Sequence, residues 1–259
     1  MGDAVLGTGL ATVRATRYVA PLREGGSLPG LVEADDDGLY VLKFRGAGQG
    51  PKALVAEVIV AALARVAALP VPQVVLIDVD PALGRAEPDP EIQELIEASA
   101  GVNFGIDYLP GSLTFDPAVP PPPGPDLAAA VVWLDALTMN VDRTPRNPNL
   151  LVWHERLFLI DHGAALYVQH EEGGLAGHAE RPFAQVAQHV LLPFAAAIDE
   201  ADERLAPLFD RTAIEGAVAL VPDEWLDGAD TRADYCGFLE RRLAARSAWV
   251  GEAERARVR

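Results

Sequence analysis

The stretch PAVPPPPGP at 117–125 constrains the fold more than any other part of the chain. Proline fixes φ and carries no N–H, so neither a helix nor a central strand can run through it, and it is expected as an extended surface connector. Different kinds of sequence lie on its two sides. Before it, RYVAP, GLVEA and LYVLKF are short β-type runs separated by LREGGSLPG and DDDG, which predicts a three-strand meander. KALVAEVIVAALARVAAL is longer than a strand and apolar over most of a helix surface, so it predicts a largely buried helix ending before PVP. QVVLIDV and FGIDYLPG read as two further strands, with loop and room for one helix between them. After the connector, DLAAAVVWLDALTMN is helical from an Asp126 cap, and NLLVW and RLFLI pair as a hairpin around HE. Residues from about 182 to 256 read as mostly helical, closing on one amphipathic helix with a solvated basic end. The fold class is therefore α+β, with a β-rich unit at 1–111 carrying one main helix and a mostly helical unit at 112–259.

The net charge of −17 argues against nucleic acid or an anionic membrane surface as a partner, because both would be repelled. Cys236, the only cysteine, can form no internal disulfide and supplies no zinc site alone, which favours a reducing, cytoplasmic setting. The apolar stretches at 53–77 and 126–141 are interrupted by Glu57, Arg65 and Asp135, so neither reads as a membrane span, and MGDAVLGTGL does not read as a secretory leader. The histidines show no metal-binding spacing and read as loop residues. Only two of the 21 cations are lysines, Lys43 and Lys52, which singles both out.

Chemistry concentrates in NVDRTPRNPNLLVWHERLFLIDHG at 140–163. Asp142 on a loop after a buried helix, Asn147 five residues on, then a hairpin delivering Asp161 at its exit, can build a divalent-metal site for phosphoryl transfer. Hard oxygen ligands suit magnesium, which uses few carboxylates and keeps waters. Asp142 would orient the acceptor hydroxyl, while Asn147 and Asp161 would hold the metal. Taken alone, DRTPRN also reads as a turn and LIDHG as a strand end; the joint order favours the site.

NVDRTPRN followed by LFLIDHG resembles the catalytic and metal loops of HipA-like kinases, a branch of the protein-kinase-like fold related to phosphatidylinositol kinases. Asp142 and Asn147 match the D-x-x-x-x-N of the kinase catalytic loop, and Asp161 and Gly163 match D-F-G with His162 in place of Phe. The likeness extends through YVLKFRGAGQGPKALVAE, over roughly residues 15 to 200. It implies a two-lobed kinase-like fold, an N-lobe at 1–111 and a helical C-lobe at 112–259, with ATP and magnesium as cofactors. By the same resemblance Asp142 and Lys43 are catalytic, and Lys43 holds the α- and β-phosphates with Glu57 as its ion-pair partner. That pairing also makes physical sense alone, since a Lys in an apolar strand and a Glu in an apolar helix are costly to bury singly.

Phosphate cradling needs exposed backbone N–H groups, which glycine supplies. Two loops offer them, REGGS and GAGQG; Gly25, Gly26 and Ser27 in the first occupy the usual kinase position and are favoured. The adenine is expected against backbone groups near Asp107 and Tyr108. The resemblance implies a protein Ser or Thr hydroxyl as acceptor. A small-molecule acceptor, AMP transfer and a pseudokinase that binds without turnover are the contrasting readings.

Overall fold

The computed structural model describes residues 9–22, 28–48, 50–226, 228 and 230–259. The meander is present as β1 (Thr12–Pro21), β2 (Gly30–Ala34) and β3 (Leu39–Lys43). The next two strands are β4 (Val74–Val79) and β5 (Gly101–Asp107). These do not form an open sheet: the order β1-β2-β3-β5-β4 closes into a barrel, with β1 parallel to β4 through Thr12↔Leu76, Val13↔Ile77 and Arg14↔Asp78. Closure needs a strand that bends, and β1 shifts register against β2 between Ala15 and Arg17 and again between Tyr18 and Ala20. Val13, Val32, Leu42, Val75 and Ile77 fill the interior, together with Ile92 and Ile96 from α2 (Pro90–Ala98). The helix for which the sequence left room thus contributes to the barrel's apolar cluster. Gly105 permits close packing there, since a Cβ on it would lie 2.3 Å from Ile77 Cδ1.

Helix α1 (Pro51–Val66) is buried without interruption from Leu54 to Ala64. A helix apolar all round must be covered all round. Part of the cover comes from α3 (Pro125–Thr138), itself buried from Ala128 to Thr138 and ended by Met139 in the left-handed region. The hairpin β7 (Leu150–Trp153) and β8 (Arg156–Leu159) turns through His154 and Glu155, both at positive φ, as a two-residue hairpin turn requires. A short β6 (Leu113–Thr114), absent from the sequence reading, adds a third strand alongside β7.

Beyond the hairpin, residues 184–194 form short 3-10 turns rather than α-helix, followed by α4 (Ile198–Leu205) and α5 (Arg211–Ala219). The expected single closing helix is two, α6 (Arg232–Ala244) and α7 (Arg246–Arg257), broken at Ala245. The break lets Trp249 stack edge-on against Trp133 of α3 with ring centroids 5.4 Å apart. Arg242, within the expected amphipathic closing stretch, is fully buried and donates to the carbonyls of Ala136, Ala179 and Arg181. Lys52, the second lysine, ties the start of α1 to the C-terminal part through Asp230 Oδ2 at 2.6 Å and the Gln169 carbonyl at 3.1 Å. Trp225 Nε1 donates to the Val102 carbonyl of β5 at 3.0 Å, a second tie between barrel and helices. Among the described residues no helix is long and apolar enough to cross a membrane.

Candidate active site

Lys43 ends β3 and points at α1, where Glu57 sits in the middle of the buried stretch. Its ammonium forms an ion pair with Glu57 Oε1 and donates to Asp161 Oδ1 at 2.6 Å. The Lys43 side chain is 12% exposed and that of Glu57 1%, whereas Asp161 keeps 42%, so the cluster opens to solvent on the Asp161 side. Two carboxylates share one cation. Burial alone would lower the Lys43 pKa, but Glu57 and Asp161 more than offset it and hold the ammonium above its ordinary range. Glu57 is pushed up, first by burial and then by Asp161, against the pull of Lys43. Burial also works against ionised Asp161, yet Lys43 outweighs it and keeps this carboxyl below its ordinary value.

Asp161 follows β8 with φ of 54°, a left-handed turn that sends the next backbone N–H, of His162, to Glu57 Oε2 at 2.9 Å. Gly163 runs close beneath, where a Cβ would come within 3.2 Å of Glu57 Oε1. Asp142 lies on the loop after α3. Its Oδ2 accepts from Asn147 Nδ2 at 2.7 Å and Asn149 Nδ2 at 3.2 Å, and its N–H donates to Asn140 Oδ1 at 3.1 Å. The loop is pinned by paired backbone bonds between Thr144 and Asn147, both 3.1 Å.

Between the two loops runs a buried network that the sequence reading did not find. Arg143 and Asp135 are both sealed from solvent, with Nε on Asp135 Oδ2 at 2.5 Å. Arg143 also donates to the carbonyls of Asn149 and Ile160 and to His162 Nδ1 at 3.2 Å. Asp135 further accepts from His189 Nε2 at 2.9 Å and Asn140 Nδ2 at 3.2 Å. Despite the cost of burial, Arg143 and His189 hold its carboxyl well below the usual carboxylate range. Burial, reinforced by Arg143, pushes His162 down to about 3, so the ring is neutral. The available signal was the one already applied to Glu57: an acid inside an apolar helix needs a buried partner, and Asp135 in VVWLDALT is such an acid. Asn149 carried no separate signal beside Asn147.

Other sequence-predicted positions fare differently. Gly25, Gly26 and Ser27 lie outside the described residues. In the second glycine loop Gly46 faces the end of α2, its N–H on Ser99 Oγ at 3.0 Å, and Gly50 caps α1, so this loop shapes the helix start. The N–H groups of Asp107 and Tyr108 are taken by the carbonyls of Gln73 and Leu39 at 2.8 and 2.9 Å.

A family model described as HipA-like kinase matches residues 16–244. The chain belongs to the HipA-like kinase family. This HipA-like kinase is thus a phosphotransferase of the kinase type. Its fold is shared with a crystal structure of the Golgi casein kinase with Mn/ADP bound, at a TM-score of 0.52 and 11% identity over 94% of this chain and 73% of that one. A second Golgi casein kinase structure aligns at 0.50 and 11% identity, over 94% and 72% of the two chains. No curated protein matches the sequence.

Proposed function

We propose that this HipA-like kinase transfers the γ-phosphoryl group of ATP, with magnesium, to a Ser or Thr hydroxyl of a protein. The observation that carries the reading is the convergence of Lys43, Glu57 and Asp161, beside an Asp142 whose orientation is fixed by Asn147 and Asn149. Residues 1–111 serve as the nucleotide lobe and 112–259 as the lobe carrying the catalytic and metal loops, a division supported by barrel closure before the exposed proline-rich stretch. The reducing setting favoured by a lone cysteine supports a cytoplasmic enzyme.

The donor set fits a divalent cation. Asp161 offers a half-exposed carboxylate, and Asn147, its amide nitrogen spent on Asp142, offers its oxygen; both are hard ligands, as magnesium requires. A site with two carboxylates on one ammonium, in a chain of net charge −17, would repel a bare polyphosphate. Magnesium, when bound, would neutralise that charge and draw negative charge from the transferring phosphoryl group. The related fold solved with manganese and ADP supports nucleotide and divalent-metal use.

Each residue then has a defined task. Lys43 spends two of its three N–H donors on Glu57 and Asp161 and keeps one for a phosphate oxygen. Asp142 uses Oδ2 for the two amides; Oδ1, without a partner among the described residues, faces the acceptor hydroxyl and receives its proton. Asp107 and Tyr108 line the adenine edge, where Leu109 supplies the next N–H, which has no acceptor among the described residues. Gly25, Gly26 and Ser27, outside the described residues, are assigned to the phosphates on the sequence pattern alone.

The test is incubation with magnesium, whole-cell lysate and ATP labelled at the γ or the α position. Acid-stable γ-label on a protein supports the proposal. α-Label on protein identifies AMP transfer instead. Tight magnesium-dependent ATP binding with neither label identifies a pseudokinase.

A further inference from the structure

His162 is fully buried, and its two ring nitrogens are treated differently. Nδ1 lies 3.2 Å from Arg143 Nη2, while Nε2 is buried without a partner among the described residues. A guanidinium only donates, so Nδ1 must accept and the proton of the neutral ring must sit on Nε2. If this position needed only apolar volume, a Phe or Leu would fill it without stranding an N–H. What the imidazole adds is the Nδ1 acceptor.

That acceptor stands at a junction. Arg143, anchored by Asp135 of α3, touches the residues on both sides of Asp161: the Ile160 carbonyl at 3.4 Å and the His162 ring. Arg143 is also the chain neighbour of Asp142. On the other face, the His162 N–H holds Glu57 Oε2, Glu57 Oε1 holds Lys43, and Lys43 returns to Asp161. Asp161 itself sits in the left-handed region, a conformation that surrounding bonds must maintain.

We propose that His162 is a positioning residue: ring Nδ1 on Arg143 and backbone N–H on Glu57 together lock Asp161 in register with Asp142. The inference rests on the functional reading above for what Asp161 does, but the lock itself can be tested without activity. Loss of the ring acceptor frees the Asp161 turn, which loosens magnesium more than nucleotide and slows the transfer step.

Two variants separate positioning from space filling. His162→Asn places its terminal atoms where Nδ1 lies; His162→Gln places them where Nε2 lies and fills more of the volume. The expected result is His162→Asn within about threefold of the parent in kcat, and His162→Gln at least about tenfold slower. The Gln variant should also need about threefold or more magnesium for half-saturation, with KM for ATP at saturating magnesium little changed. Gln equal to or better than Asn would mean that volume alone matters and would overturn the proposal.

Independently, nitrogen NMR of protein labelled in histidine should find the His162 ring neutral at pH 7, protonated at Nε2, with that state altered in Arg143→Met. A ring carrying its proton on Nδ1 would refute the lock whatever the enzyme's activity. Failure of the parent to turn over ATP would count against the proposed function, and the NMR result would still decide this inference.

Discussion

Lys43 and Asp161 stand 118 positions apart in the chain and bring their charged atoms to 2.6 Å. The lysine thereby joins the last strand of the meander to the exit of the hairpin, and Glu57 completes the contact from α1. A compact ammonium can serve both carboxylates and still present a third donor, whereas a guanidinium is broader and forks its bonds. Lys43→Arg should keep the fold, with little change in Tm, and lower ATP turnover at least about tenfold, roughly 1.4 kcal/mol of transition-state stabilisation. Glu57→Gln should produce a similar loss, and the double variant should lose less than the sum. Simple additivity in steady-state kinetics would contradict the assignment.

Asp161→Asn tests the metal side. An amide supplies no net charge to a divalent ion, and it leaves Lys43 with one carboxylate instead of two. Magnesium-dependent ATP binding, measured by calorimetry with and without the ion, should weaken. Parent-like affinity would remove Asp161 from the ligand set.

Asp142→Asn should leave ATP affinity nearly intact and cut turnover by about 10²- to 10⁴-fold, the range of a lost general base. Asn149→Ala should give a smaller loss in the same parameter, because Asn147 still holds Oδ2 at 2.7 Å. Unchanged turnover of Asp142→Asn on a verified acceptor would refute the role.

The Asp135–Arg143 pair governs stability as well as geometry. Removing one member of a buried, hydrogen-bonded ion pair strands the other, at a cost of about 3–5 kcal/mol. Arg143→Met should therefore lower the urea midpoint strongly, and replacing both residues by apolar ones should recover part of the loss.

Acid should begin to destabilise the fold well above the carboxylate range. His189 is buried neutral, its pKa lowered by burial against the hydrogen bond to Asp135. Its stabilising effect is complete above the unfolded histidine pKa of about 6.5 and declines as pH falls toward the lower folded value, at up to about 1.4 kcal/mol per unit. Asp135, depressed in its turn, adds a loss only below about pH 4. Urea unfolding at pH 7, 6 and 5 should show the decline, and His189→Gln should reduce it, leaving the part contributed by the buried neutral His162. A midpoint constant from pH 7 to 5 in the parent would contradict the buried neutral ring.

What the sequence disclosed was local or strongly patterned. Asp142, Asn147 and Asp161 stood out because one loop and one hairpin carry them, and Lys43 because so few lysines exist to compete with it. The Arg143 network stayed hidden because its meaning depends on which helix packs behind the loop, and Arg143 beside Asp142 looks like any solvated arginine. Barrel closure was equally invisible: β1 meets β4 in a parallel pairing between distant segments, and no local signal encodes a partner. Asp107 and Tyr108 are expected to turn backbone groups toward the adenine, yet neighbouring carbonyls take their N–H groups, a pairing between distant segments that no local signal shows.

The closed ring of β1-β2-β3-β5-β4 has a consequence for how this half of the molecule meets other chains. An open sheet offers a rim of unpaired backbone onto which an incoming peptide can zip as one more strand. Here each barrel strand already has a neighbour on both flanks, so among the described residues strand addition finds little template beyond the stretch of β1 that continues past its pairing with β4 at Thr12–Arg14. A protein that docks elsewhere on the barrel must read its side chains, and specificity on that face is written in residue identity rather than in main-chain complementarity.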